Sequence, residues 1–308
     1  LTSLARTCSG IGDAIPTVLT MTVVPILGAG SSMADYRIGF KWWALIIAVV
    51  FVISELVCVA CVPERPVACN EKPGKISDMF KALFKNDQAM TVVVSIILVY
   101  TSINICGNLV LYFFRFDVGN EGAYSIFAAV AFAAQVLVMM VIPLLRKRFS
   151  KSCLFISGFI IQIVGFAVIL IMAFAKLYTP QSWYILCMPG ILIYLGYGML
   201  NVIMTIFLSD SVDYGEVMNG TREESVIFSM QTFTVKLASG VAVFLAGLIV
   251  DWIHLDTSAT VQTQDTLDAL RMWMTIPSVI LLIVGIFVFK RFYKLDDARM
   301  EEIKSKLN

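Results

Sequence analysis

The chain is predicted to be an all-α integral membrane protein that crosses the bilayer several times. Three observations carry this. Of its 308 residues 59% are apolar and only 15% are charged, where soluble domains carry roughly 45–50% and about 25%. The mean hydropathy is +0.85. The apolar residues also fall into runs of the ~20 residues that a helix needs to cross hydrocarbon. With no water there to satisfy open backbone groups, and without the two-residue alternation of a barrel, these runs must be helices. Such a composition excludes an ordinary soluble enzyme and a disordered chain. A nucleic-acid binder needs a basic excess, and 23 Lys and Arg against 22 Asp and Glu provide none.

Eight segments qualify as spans, in chain order Cys8–Leu27, Trp42–Val62, Ala89–Phe114, Ser125–Leu145, Cys153–Ala175, Tyr184–Leu208, Val226–Val250 and Trp273–Phe292. Their Pro16, Pro143, Pro189, Gly196, Gly198 and Pro277 suit membrane helices, which carry more of both residues than soluble ones. Between the second and third spans lies the longest polar connection, Pro63–Gln88, dividing the chain into two helices plus six. Within it Ile76–Lys85 reads as a short interfacial helix, with Ile76, Met79, Phe80, Leu83 and Phe84 on its apolar side and Ser77 or Asp78 able to cap it. The domain plan is therefore 1–63, a loop 64–88, a six-helix unit 89–293 and a tail 294–308.

Charge placement orients the spans. Arg6, Arg65, Lys72, Lys75, Lys81, Lys85, Arg146, Lys147, Arg148, Lys151, Arg222 and the basic tail fall on one side, and Arg37, Lys41, Arg115, Lys176 and Arg271 on the other. By the positive-inside rule both ends face the cytoplasm. The chain starts at Leu1 and not at Met, which suggests a fragment of a longer protein.

Polar groups inside apolar runs are the candidates for chemistry, because a charge at the centre of a membrane helix costs about 2.5–3.5 kcal/mol. Lys236 lies ten residues into its span, about 15 Å deep at the rise of a helix. Ser225, Ser229, Thr232, Lys236, Ser239 and Gly240 recur at three- and four-residue steps and form one stripe, expected to face the bundle interior or a wet cavity. Lys236 then either contacts substrate or couples an ion, or it orders the bundle through an interhelical ion pair. Arg6 and Asp13, seven residues apart, share a helix face and can serve one cavity, although Arg6 can also snorkel to the interface. Asp210, Asp213 and Glu216 sit at three-residue steps directly after a span, followed by Arg222, Glu223 and Glu224. Acids on the basic side of the membrane can pair with another cytoplasmic loop and act as a gate. Asn104, Asn108, Tyr112, Phe113 and Phe114 line a path or simply pack. Cys58 and Cys61 form a CxxC, but with no second pair and a distant single His254 they read as small apolar helix residues and not as a metal or redox site.

The run Ser209-Asp210-Ser211-Val212-Asp213-Tyr214-Gly215-Glu216, the Thr221-Arg222-Glu223-Glu224-Ser225 that follows, and Phe228-Ser229-Met230-Gln231-Thr232-Phe233-Thr234-Val235-Lys236 together carry a family resemblance. They resemble the glycoside–pentoside–hexuronide:cation symporters, the melibiose-permease type within the major facilitator superfamily. Lys85-Asn86-Asp87-Gln88, Tyr112-Phe113-Phe114 and Leu1–Arg6 add to it.

The resemblance implies a helix bundle of the major-facilitator type, in which the eight spans here look like the fifth to twelfth of twelve. Residues 1–63 would be the last two helices of an N-terminal bundle whose first four are missing, and Pro63–Gln88 the central cytoplasmic loop. It implies substrate contacts from Arg6 and Lys236, with Gln231 and Thr232 beside the lysine, and a cytoplasmic gating cluster of Asp210, Asp213, Glu216 and Arg222. Asp13 is outside the family pattern. Arg146-Lys147-Arg148 with Lys151 is similar to the second copy of the superfamily's basic loop.

The function it implies is symport of a sugar or glycoside with Na⁺ or H⁺ by alternating access in the cytoplasmic membrane. No cofactor, resident metal or nucleic acid is expected, and no catalytic triad or phosphate loop suggests an enzyme. Two rivals stand beside this reading: a symporter of another amphiphile such as a lysophospholipid, and a truncated fragment that transports nothing.

Overall fold

The apolar runs fold as helices, and the described residues contain no strand. The computed structural model describes residues 2–30, 33–61, 84–220, 224–257, 259 and 261–307. First come α1 (Thr2–Gly28) and α2 (Met33–Cys61). Next, α3 (Asp87–Tyr112) runs on into a π-helical turn, Phe113–Asp117. Then follow α4 (Ala123–Leu145) and α5 (Lys151–Phe174). A 3₁₀ turn, Trp183–Leu186, leads into α6 (Cys187–Asn219). The last three are α7 (Glu224–Trp252), α8 (Gln264–Phe292) and α9 (Asp297–Leu307).

Among the described residues 7 helices, α2 to α8, are long and apolar enough to cross a membrane. The expected eighth, α1, has 27 residues and continues through Pro16 and Pro25, but it is not among those seven. The expected linker helix Ile76–Lys85 lies, up to Leu83, outside the described residues.

Helix ends follow local chemistry. Asn86, Ser150 and Thr263 occupy N-cap positions and accept from the backbone N–H groups of Ala89, Cys153 and Thr266, satisfying donors that a helix start leaves open. The largest departure from expectation is α6. It was expected to stop at Leu208 but continues, through Gly215, to Asn219 and ends at Gly220. There the backbone turns left-handed (φ 73°) and the Gly220 N–H closes on the Glu216 carbonyl, the usual glycine exit from a helix.

Contacts divide the chain into two bodies, residues 11–75 and residues 1–10 with 76–308. In the first, α1 and α2 cross closely: a Cβ on Gly39 would stand 2.1 Å from the Val24 carbonyl oxygen. Trp43 Nε1 also donates to Thr20 Oγ1 at 2.8 Å. In the second, α3 touches α6, α7 and α8, while α6 touches α3, α4 and α5, so α3 and α6 are the central pair. Phe113, Phe114, Phe155, Phe159, Phe166 and Phe207 are fully buried there. Of the two readings left open for Phe113 and Phe114, their full burial supports packing.

Close approach of α5 and α6 depends on small residues, since apolar surface alone gives helices in lipid little reason to associate. A Cβ on Gly196 would lie 2.6 Å from the Gly158 carbonyl oxygen and 2.8 Å from Gln162 Cβ. Gly196→Ala is therefore expected to destabilise the protein by about 1–3 kcal/mol, the cost of overpacking. Thermal unfolding in detergent measures it, and an unchanged midpoint would contradict the crossing.

Residues 294–308 were expected only as a cytoplasmic tail. They contain α9, whose Met300 and Ile303 join Leu295 in a small buried cluster against Tyr214, Val217 and Tyr293.

Candidate functional site

One end of the six-helix body carries a charge cluster. Lys151, in the first turn of α5, and Asp210, near the end of α6, are both buried and form an ion pair in which Lys151 Nζ donates to Asp210 Oδ2. The same ammonium stands 3.4 Å from Asp297 of α9, which Arg146 reaches at 3.5 Å. Tyr293 lies beside them, and burial first, then the carboxylates of Asp210 and Asp297, push its phenol above the ordinary value. Of the acids after the sixth expected span, Asp210 pairs here with the basic loop, through Lys151. Asp213 and Glu216 are half-buried on the next turns of α6, and Arg222 lies outside the described residues.

Two amides fasten α3 at this end. Asn86 caps its own helix through Oδ1 and donates from Nδ2 to the Ser211 carbonyl at 2.8 Å. Gln88 donates to the Phe292 carbonyl at 3.3 Å and accepts from the Lys294 N–H at 2.7 Å. Both belong to the Lys85–Gln88 motif, whose part in the fold was not evident from sequence.

The α7 stripe is on the surface of the body. Ser225, Ser229, Thr232, Lys236 and Gly240 are exposed and Ser239 half-buried, and nothing stands within 4 Å of where a Gly240 Cβ would be. Thr232 donates to the Phe228 carbonyl at 3.3 Å. Gln231 faces the other way: it is buried, and its Nε2 donates to Thr205 Oγ1 of α6 at 3.2 Å. Five residues separate it from Lys236, which is about 140° around a helix. Gln231 therefore secures α7 from behind while Thr232 and Lys236 share the open face.

Other candidates are placed less distinctively. Asn104 and Asn108 are half-buried and each donates to the carbonyl one turn back, of Tyr100 and Asn104, at 2.7 Å. Tyr112 stacks on Phe116 at 6.5 Å. Arg6 and Asp13 lie on α1, with their side chains outside the described residues. Cys58 and Cys61 are free and exposed on α2. Among the described residues no three His, Cys, Asp or Glu stand together as a metal site requires.

The opposite end holds a second knot that the sequence reading treated only as scattered outside charges. Arg271 of α8 and Asp117 of the π turn are each 3% exposed. The guanidinium donates twice, Nε to Oδ2 at 2.8 Å and Nη2 to Oδ1 at 2.5 Å. Its Nη1 donates to Asp268 at 2.6 Å, and Tyr178 donates to Asp117 at 2.6 Å. Burial, and next the carboxylate that takes its hydrogen bond, raise the Tyr178 phenol above its ordinary value of 10. It therefore remains a donor into alkaline solution. The sequence signal was slight: Asp268 and Arg271 are three residues apart in the apolar-spaced start of α8.

Fold and charge placement together define a polytopic helical membrane protein, with polar groups gathered at two ends of the six-helix body and along one open helix face. Comparison with known proteins narrows this. Residues 1–297 match the profile of the family described as MFS/sugar transport protein, and the chain belongs to that major facilitator family. It is 25% identical over 99% of its length to the raffinose carrier protein of Pediococcus pentosaceus, covering 47% of that protein. To the isoprimeverose transporter of Lactiplantibacillus pentosus it is 24% identical over 96% of its length, covering 60% of the relative. To the putative glycoside/cation symporter YagG of Escherichia coli K12 it is 23% identical over 94%, again covering 60%. The chain thus spans about half to three-fifths of the length of these relatives. They are named as membrane transporters and not as enzymes.

Proposed function

We propose that the protein moves a sugar or glycoside across the cytoplasmic membrane, driven by Na⁺ or H⁺, through alternating access. The observation that carries this is Lys236, a cation on the open face of a helix composed to cross the membrane. Facing lipid, it would cost about 2.5–3.5 kcal/mol; facing a water-filled path, it can donate to sugar hydroxyls or a carboxylate. The names of the relatives support a sugar or glycoside as cargo, and one of them supports a coupling cation.

In this reading Lys236 and Thr232 touch the sugar and Gln231 holds α7 in place, while Arg6 and Asp13 are the substrate contacts proposed for α1. Asn104, Asn108 and Tyr112 belong to the walls. Asp210, Asp213, Glu216 and Arg222 close the cytoplasmic side, with both ends of the chain on that side. Helices beyond those of this chain complete the path.

Labelled-sugar uptake into vesicles tests the proposal, using the protein at its full natural length and a panel of galactosides, pentosides and hexuronides under imposed Na⁺ or proton gradients. Gradient-driven accumulation is expected for at least one sugar. Lys236→Ala should lower it about tenfold or more, the loss of one or two charge-assisted hydrogen bonds, with insertion unchanged. Normal coupled uptake by that variant would remove Lys236 from the path. No uptake of any sugar by the wild type would refute sugar transport.

A further inference from the structure

Helices α3 and α8 are antiparallel neighbours joined by side-chain bonds at three levels. At one end Gln88 bonds the Phe292 carbonyl and the Lys294 N–H. At the middle, Ser102 and Ser278 exchange hydroxyl-to-carbonyl bonds of 3.2 and 2.9 Å. At the far end Arg271 grips Asp117 with both carboxylate oxygens.

That last grip falls on the irregular turn that continues α3. Phe113–Asp117 is a π turn, in which Val118 N–H reaches back to Phe113. A π turn holds one residue more than an α turn in the same loop and can rewind into α-helix. Rewinding by one residue would rotate everything after it by about 100° and carry Asp117 away from Arg271. Tyr178 braces the same residue from the α5–α6 connection, with its ring 5.5 Å from that of Phe113. Guanidinium and carboxylate are both buried, so solvent does not compete for the bond.

We propose that Arg271 is a positioning residue. By holding Asp117 it pins the π turn in register and fastens α3 to α8 along their full length, so the two move as one rod during the transport cycle. The inference rests on the transport reading, because it assigns the changes of access to other elements. Outer opening does not come from α3 bending away from α8.

Spin labels at the exposed Arg115 and Met272, in a protein cleared of reactive native cysteines, report the separation of the two helices near the knot. In the wild type the distance distribution is expected to be narrow and to stay unchanged when raffinose, isoprimeverose and Na⁺ are added. Arg271→Ala should broaden it. Tyr178→Phe, which loosens the knot without leaving a bare charge, should broaden it less and keeps the test open if the first variant does not fold. In uptake, Arg271→Ala should lower the maximal rate about tenfold while KM stays within about twofold, because no sugar contact is removed.

A wild-type separation that shifts on adding sugar and Na⁺ would overturn the rod. An equally narrow distribution in both variants would overturn the role of Arg271. If no sugar is transported, the resting distributions still decide whether the clamp exists, so its failure and that of the transport reading are told apart.

Discussion

Replacing Arg271 with Met is expected to lower the unfolding free energy by about 3–5 kcal/mol, the usual cost of removing one partner from a buried ion pair. The magnitude follows from what stays behind. Asp117 is 3% exposed and takes two of its three described hydrogen bonds from the guanidinium. Without them a carboxylate remains buried with only the Tyr178 hydroxyl as donor. Arg271→Lys should cost less but not nothing, since a point charge cannot reproduce a two-pronged bond. Changing both partners to apolar residues, Asp117→Leu with Arg271→Met, should recover most of the loss, because the desolvation penalty of both ions disappears together. Thermal unfolding of the purified protein in detergent orders the variants. A double variant no more stable than Arg271→Met would mean that the knot holds the helices by shape and not by charge.

The second large effect is expected at the other end. Lys151→Ala removes the ammonium from the buried Asp210 and also from Asp297. A loss of about 3–5 kcal/mol is expected on the same ground. Asp297 keeps Arg146 at 3.5 Å, so the damage concentrates on Asp210. Lys151→Ala with Asp210→Asn should therefore be less unstable than Lys151→Ala alone, because the amide is neutral. The same unfolding measurement reads this. Equal losses in the two would show that Asp210 is compensated by groups other than Lys151.

These two knots differ in how far the sequence disclosed them. Asp210 announced itself as an acid directly after an apolar run on the basic side of the membrane, able to pair with another cytoplasmic loop, whereas its partner Lys151 was not singled out. Arg271 and Asp117 carried no comparable signal. Each looked like an ordinary charge at the edge of a span, where exposure is the default. The expected start of the last span at Trp273 left Arg271 in a connection, whereas α8 begins at Gln264 and places it within the packed helix. The lysine stripe shows the opposite case. Its period was plain in the sequence and it does share one face of α7. The family resemblance set Gln231 beside Lys236, and helix geometry turns the two in different directions.

Seven of the eight expected apolar runs were legible as helices long enough to cross a membrane, and the family with them, while the extension of α6 to Asn219 and the helix α9 in the tail were not. The legible properties depend on run length, composition and short motifs, and the cost of leaving backbone groups unsatisfied in hydrocarbon is met within each segment. The tertiary structure alone decided which charges meet. Asp117 and Arg271 are 154 positions apart, and Lys151 and Asp210 are 59 apart. An ion pair depends on separation in space and on exclusion of water, and neither can be read from positions in a chain until the helices have been packed against one another.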